Sequence, residues 1–131
     1  MKLKNLKSIL YSQRGEENMN FRQAWCKETA HPSYQKEWNK NNPTHGQCLP
    51  TALIVQDTFG GDIYSCKIKN KIHFYNVIDD RIVDLTKEQF QSYENEPLFY
   101  EGTQKKDRNK LLKVKHVYER YKLLKQRLLT N

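Results

Sequence analysis

The sequence predicts an α+β fold, and three observations predict it. Ala52, Leu53, Ile54 and Val55 leave no polar face in the run that follows Pro50 and precedes Gly60-Gly61, which marks a helix buried on nearly every side. Asp62 to Lys69, Ile72 to Ile78 and Arg81 to Leu85 are short runs rich in Ile, Val, Tyr and Phe, with Asn70-Lys71 and Asp79-Asp80 as the turns of an antiparallel meander. From about Lys105, the residues Leu111, Val114, Tyr118, Tyr121, Leu124 and Leu128 recur at three- and four-residue steps, as on a long amphipathic helix. The expected architecture is a buried helix packed on a small antiparallel sheet, plus a long C-terminal amphipathic helix docked on the domain.

Length and composition narrow the class. At 131 residues the chain suits one domain, expected to comprise an N-terminal helix and coil (1–43), a core (44–90) and the C-terminal helix (105–131). Three widely spaced cysteines do not make a disulfide framework, and no stretch approaches membrane-spanning length or reads as an N-terminal export signal. These point to a soluble cytoplasmic protein that does not enter a membrane. The net charge of +8 is local: Gln104 to Asn131 hold ten basic residues against Asp107 and Glu119, leaving thirteen of each sign elsewhere. Such a run reads first as a solvated helix face, and weighs against nucleic acid as a partner, since a binding domain spreads its basic residues over a folded face.

The chain opens with Leu3, Leu6, Ile9 and Leu10 among lysines, one apolar stripe on a short helix. Ser12 to Asn20 is polar and reads as loop, and Phe21 to Trp25 starts a second short helix. Lys27 to Asn42, with Pro32 and its asparagines, reads as an ordered coil. Trp25, Tyr34 and Trp38 are its expected anchors; the alternative is that one of them walls the approach to Cys48.

Cys48 is the first chemical signal. Pro43 and Gly46 break the chain before it, and Pro50 sits in the first helical turn, where a missing N–H costs nothing. A helix start offers unpaired N–H groups and the positive end of the macrodipole, both favourable to a thiolate. Pro50 also biases Leu49 away from helical geometry, which could move the helix start a residue or two past Cys48. Alone, a cysteine there is more often structural. The case rests on finding a base.

The meander supplies one. A two-residue turn at Asp79-Asp80 pairs Ile78 with Arg81, Val77 with Ile82, Asn76 with Val83 and Tyr75 with Asp84, and a four-residue loop from Ile78 to Arg81 keeps the last three pairs. Residues opposed across a ladder share a face, as do residues two apart along a strand. His73 and Asp84 are then diagonal neighbours, close enough for the carboxylate to orient the imidazole. Tyr75 falls on the same face and Asn76 on the other. Cys48, His73 and Asp84 form the expected nucleophile, base and orienting acid.

The same residues carry a resemblance. Trp25-Cys26-Lys27-Glu28-Thr29, Trp38, Pro43, Gly46-Gln47-Cys48, Thr51-Ala52-Leu53, Gln56-Asp57, Gly60-Gly61, His73-Phe74-Tyr75-Asn76 and Asp84 to Phe90 resemble the YunG-like family of small bacterial proteins. The order of a cysteine at a helix start, then histidine, then aspartate on adjacent strands is similar to the papain-like fold, including its transglutaminase-like and NlpC-type hydrolase branches. That resemblance implies a papain-like core and the triad Cys48, His73 and Asp84, and no substrate. It also implies a side-chain amide beside the Cys48 N–H to stabilise an oxyanion. The candidates are Gln47, adjacent to the cysteine, and Asn42, six residues before it. Leu49-Pro50 is bulkier than the small residues expected after Gly-Gln-Cys.

Thr86 and Gln89 fit a capping box that starts a short helix after Leu85, and Glu94 to Gln104, with Pro97 and Gly102, reads as a connector. His45-x-x-Cys48 has no second half, so no structural zinc is expected, and no phosphate or dinucleotide loop is present. No cofactor or metal is expected. The predicted function is a cysteine-dependent hydrolase or acyl transferase (peptidase, amidase, deamidase or transglutaminase-like) acting on an amide or thioester. The alternative is an inactive binding module on the same scaffold, holding protein or nucleic acid through the basic helix, with a homodimer through that helix as a further option.

Overall fold

The structure, a computed structural model, describes residues 19–87, 89 and 100–130. The expected helix over Leu3 to Leu10 and most of both the Ser12–Asn20 loop and the helix following Thr86 lie outside those residues. The described part is a mixed α+β arrangement of a four-stranded antiparallel sheet and helices packed against it.

Helix α1 (Met19–Ala24) leads into two 3-10 turns, Lys27–Thr29 and Pro32–Tyr34, within an otherwise irregular segment. The anchors act as expected: Trp25 Nε1 donates to Thr51 Oγ1 at 2.9 Å, and Trp38 Nε1 donates to the Pro43 carbonyl at 3.0 Å. Helix α2 spans Cys48–Phe59. It buries every residue from Leu49 to Val55, as a helix without a polar face must. Gly60 and Gly61 end it at φ values of +75° and +77°. At Gly61 a side chain is excluded on two counts, because an added Cβ would also lie 2.5 Å from the Val77 carbonyl oxygen.

Strands β1 (Asp62–Ile68), β2 (Lys71–Ile78), β3 (Arg81–Val83) and β4 (Glu101–Lys106) are ordered β3-β2-β1-β4. The β2–β3 register is the expected one: Asn76 opposes Val83, Val77 opposes Ile82 and Ile78 opposes Arg81. Asp79 and Asp80 both take positive φ, the backbone of a tight two-residue turn. Two details differ from expectation. The first turn falls at Lys69 and Asn70, also at positive φ, so that Ile68 pairs with Lys71, and β3 stops at Val83 rather than Leu85.

The C-terminal region departs further. The stretch from Glu101 to Lys106, expected as connector and helix start, is strand β4, paired to β1 with a register shift between Ser65 and Lys67. Its described side chains are largely exposed, in keeping with its lack of apolar alternation, and backbone pairing to β1 recruits it, with Lys105 Nζ 3.4 Å from Asp62 Oδ1 on that strand. Asp107 then caps α3 (Arg108–Leu112) through its carboxylate and the Asn109 N–H, and α4 runs Lys115–Thr130. Val117, Tyr121, Leu124 and Leu128 form the buried stripe of α4, with Arg120 beside them. Val114 and Tyr118, counted in the expected stripe, are exposed. The docked face is therefore rotated from the one the leucine and tyrosine spacing suggested, and it includes an arginine.

The main core joins Phe21, Leu53, Ile54, Val55, Ile63, Val117 and Leu124, so α1, α2, α4 and one sheet face share it. Asp57 locks the C-terminal helices to α2. It meets Arg108 at 2.5 Å and Lys125 at 3.3 Å, and accepts a hydrogen bond from the Tyr121 hydroxyl. A smaller cluster of Cys66, Ile68 and Tyr75, with Tyr64, Val77 and Tyr100 against it, covers the other side of the sheet.

Candidate active site

Cys48 is the first residue of α2, not a residue outside it. The Gln47 carbonyl accepts the first helical bond from the Thr51 N–H at 3.2 Å, so the Cys48 N–H belongs to the first turn, whose amides have no partner within the helix. Pro50 fits there for the same reason. The preceding loop is held by Gly46, at φ +75°, where an added Cβ would meet the His31 nitrogen at 3.0 Å. The Gly46 carbonyl accepts from that His31 N–H at 2.9 Å. Cys48 is partly exposed and lines an open cleft of about 700 Å³.

His73 is fully buried. Its Nε2 donates to Asp84 Oδ2 at 2.7 Å. Asp84 is fixed in turn: its Oδ1 accepts from the Thr86 N–H at 3.3 Å, and its Oδ2 from the Tyr100 hydroxyl at 2.9 Å. Burial, and then the nearby Asp84 charge, push the Tyr100 phenol upward, which keeps it a donor. Burial alone would lower the His73 pKa, but its hydrogen bonds to Asp84 and to the Cys48 side chain override that and raise it to about 10. Nε2 is committed to Asp84, and the Cys48 side chain also hydrogen-bonds the ring. The strand alternation also holds. Tyr75 stacks beside His73 with ring centroids 6.3 Å apart, whereas Asn76 turns to α2 and donates to the Ala52 carbonyl at 2.9 Å.

The two amide candidates separate. Gln47 is fully buried and its Nε2 donates to the Cys26 carbonyl at 2.9 Å, so this amide braces the N-terminal segment. Asn42 lines the cleft with Cys48. The Thr44 hydroxyl donates to its Oδ1 at 3.5 Å, and its Nδ2 makes no hydrogen bond to the described residues.

Further residues complete the site. Gln89, read only as a capping residue, places Nε2 3.3 Å from His73 Nδ1 and 3.1 Å from the Thr86 carbonyl, while its Oε1 accepts from the Gly46 N–H at 3.5 Å. It ties the cysteine loop to the histidine. Tyr34 stacks on His45 at 4.7 Å between centroids and lines the cleft, so one of the aromatic anchors does wall the approach to Cys48. His31, His45 and His116 line it as well. Burial lowers all three, helped by Arg120 at His31 and His116 and by Lys71 at His45. Of the chain's four histidines, His73 is the one raised.

The family model described as YunG protein matches residues 17–131. A curated relative from Bacillus subtilis (strain 168), "Uncharacterized protein YunG", is 38% identical over 71 residues, which cover 54% of this chain and 57% of the relative. The chain thus matches little more than half the length of that relative. No solved structure matches the chain significantly.

Proposed function

This chain belongs to the YunG family, and we propose that it is a cysteine-dependent hydrolase or acyl transferase on a papain-like core. The observation that carries the reading is the chain of contacts from Asp84 through His73 to Cys48, at the start of a buried helix and opening on a cleft. The order of the three residues and their elements, helix start then neighbouring strand then following turn, supports the papain-like assignment.

In this reading the Cys48 sulfur attacks the carbonyl carbon of an amide or thioester. His73 holds the thiol proton as an imidazolium, and Asp84 orients the ring and stabilises its charge. The carbonyl oxygen becomes an oxyanion facing the Cys48 N–H, with Asn42 Nδ2 as the side-chain donor. Collapse of the tetrahedral intermediate breaks the C–N or C–S bond, and His73 returns its proton to the departing amine or thiol. Water or a second nucleophile, deprotonated by His73, then releases the acyl group from the sulfur.

Alkylation by iodoacetamide tests the nucleophile. Cys48 is expected to react faster near neutral pH than Cys26 or Cys66. Burial, with Asp84 and Cys48 nearby, pushes the Cys66 thiol up to about 12, which makes it an unreactive control. Indistinguishable rates for Cys48 and Cys26 in the folded protein would remove the proposal.

A further inference from the structure

Arg120 lies on the docked face of α4 and is only 5% exposed, yet it borders the cleft that holds Cys48. A buried arginine normally pairs with a carboxylate, because an uncompensated charge is costly to desolvate. Among the described residues no carboxylate comes within ion-pair distance of Arg120. Its contacts are the Thr29 carbonyl at 3.4 Å and His116 Nδ1 at 3.3 Å, and its Nε is buried without a hydrogen-bond partner.

Arg108 shows what a structural arginine looks like in the same molecule. It meets Asp57, the Leu53 carbonyl, Gln56 Oε1 and the Tyr121 hydroxyl, all within 3.1 Å. Arg120 has one long backbone contact and one imidazole in place of that set. Burial lowers its pKa to about 10 and the Coulombic influence of Cys48 opposes the fall, so it stays charged at neutral pH. His116 and the T-stacked His31, 5.3 Å away between centroids, are shifted toward neutrality, so they add polar groups without adding charge.

We propose that Arg120 and His116 form an anion subsite of the Cys48 cleft, and that the substrate carries a carboxylate on the acyl portion delivered to Cys48. This rests on the cysteine-acyl reading for its place in catalysis, while the binding site stands on Arg120 alone. A single planar guanidinium flanked by neutral imidazoles matches a carboxylate better than a phosphate dianion.

The test titrates glutarate into the isotope-labelled full chain and follows the His116 and His31 signals by NMR. Glutaramide is the neutral control and methyl phosphate the phosphate arm. Saturable shifts with glutarate, absent with glutaramide and weaker with methyl phosphate, are expected. Arg120→Gln should weaken glutarate about tenfold or more, since it removes a charged hydrogen bond. Arg120→Lys should restore part of the affinity. No saturable shift, an equal response to glutaramide, tighter methyl phosphate, or unaltered binding by folded Arg120→Gln would overturn the proposal. Should Arg120→Gln fail to fold, the comparison of the three ligands on the unsubstituted protein decides the question. Iodoacetamide reactivity of Cys48 in the same sample reports on the nucleophile separately.

Discussion

His73 Nε2 stands 2.7 Å from Asp84 Oδ2, with the histidine side chain fully buried and the aspartate 3% exposed. A charged hydrogen bond of that kind contributes about 1.5–3 kcal/mol net, so Asp84→Asn is expected to slow Cys48 alkylation by roughly tenfold or more while Cys26 keeps its rate. His73→Ala should slow it at least as far. Rates in Asp84→Asn equal to the parent's would detach the carboxylate from the cysteine's chemistry.

The same contact sets a pH dependence. The folded-state pKa of His73 is raised from 6.5 to about 10, so imidazolium binding favours the folded state. That contribution is fully present below pH 6.5 and is lost as pH rises through about 10. Denaturant unfolding measured across this window should therefore show stability falling with pH, and His73→Gln should flatten that part of the curve. A parent protein whose stability rises between neutral pH and 10 would contradict the sign.

The hairpin that makes this contact could be read in the sequence because turn chemistry and strand alternation are both local. Asp79-Asp80 sets the register, and the register sets which side chains share a face. The bounds of α2 were legible for the same reason, with Pro50 in its first turn and Gly60-Gly61 at its end. Strand β4 was not, since Glu101 to Lys106 has no apolar alternation and owes its conformation to a neighbouring edge. Gln89 and Arg120 escaped notice because a glutamine in a capping position and an arginine in a basic run look ordinary until the chain brings them to Cys48.

Gln89 spans His73 Nδ1, the Thr86 carbonyl and the Gly46 N–H, so it positions the histidine and the cysteine loop relative to each other. Gln89→Ala removes neutral hydrogen bonds worth about 1 kcal/mol each. It should reduce Cys48 reactivity by a few-fold and leave the melting temperature within a few degrees. Gln89→Asn, which retains the amide on a shorter arm, should fall in between. An unchanged Cys48 rate with a large loss of stability would mark Gln89 as a purely structural tie.

Asp57 holds Arg108, Lys125 and Tyr121 at one point on α2. Asp57→Ala removes the carboxylate that Arg108 and Lys125 share and loosens the C-terminal helices from the core. A loss of about 2–4 kcal/mol in unfolding free energy is expected, read as a lower denaturant midpoint. Lys125→Ala, which removes the longest of these contacts, should cost less than half as much. Equal losses for the two variants would argue against Asp57 as the organising group.

The excess positive charge divides into two populations, and substitution can separate them. Lys110, Lys113, Lys115 and Lys122 are exposed, whereas Arg120 is buried at the cleft. Isolated surface charges contribute about 0–1 kcal/mol each. Replacing all four lysines with glutamate should therefore leave folding and iodoacetamide reactivity at Cys48 nearly unchanged. Nucleic-acid binding through α4 makes the opposite demand, because affinity would fall steeply with salt and again with each lysine removed. Fluorescence anisotropy with labelled single-stranded and duplex oligonucleotides, over a series of salt concentrations, distinguishes the two. Weak, salt-labile binding that disappears at physiological ionic strength is expected. A submicromolar complex that survives physiological salt, and is lost in the glutamate variant, would move the function of α4 from flanking the cysteine cleft to holding nucleic acid.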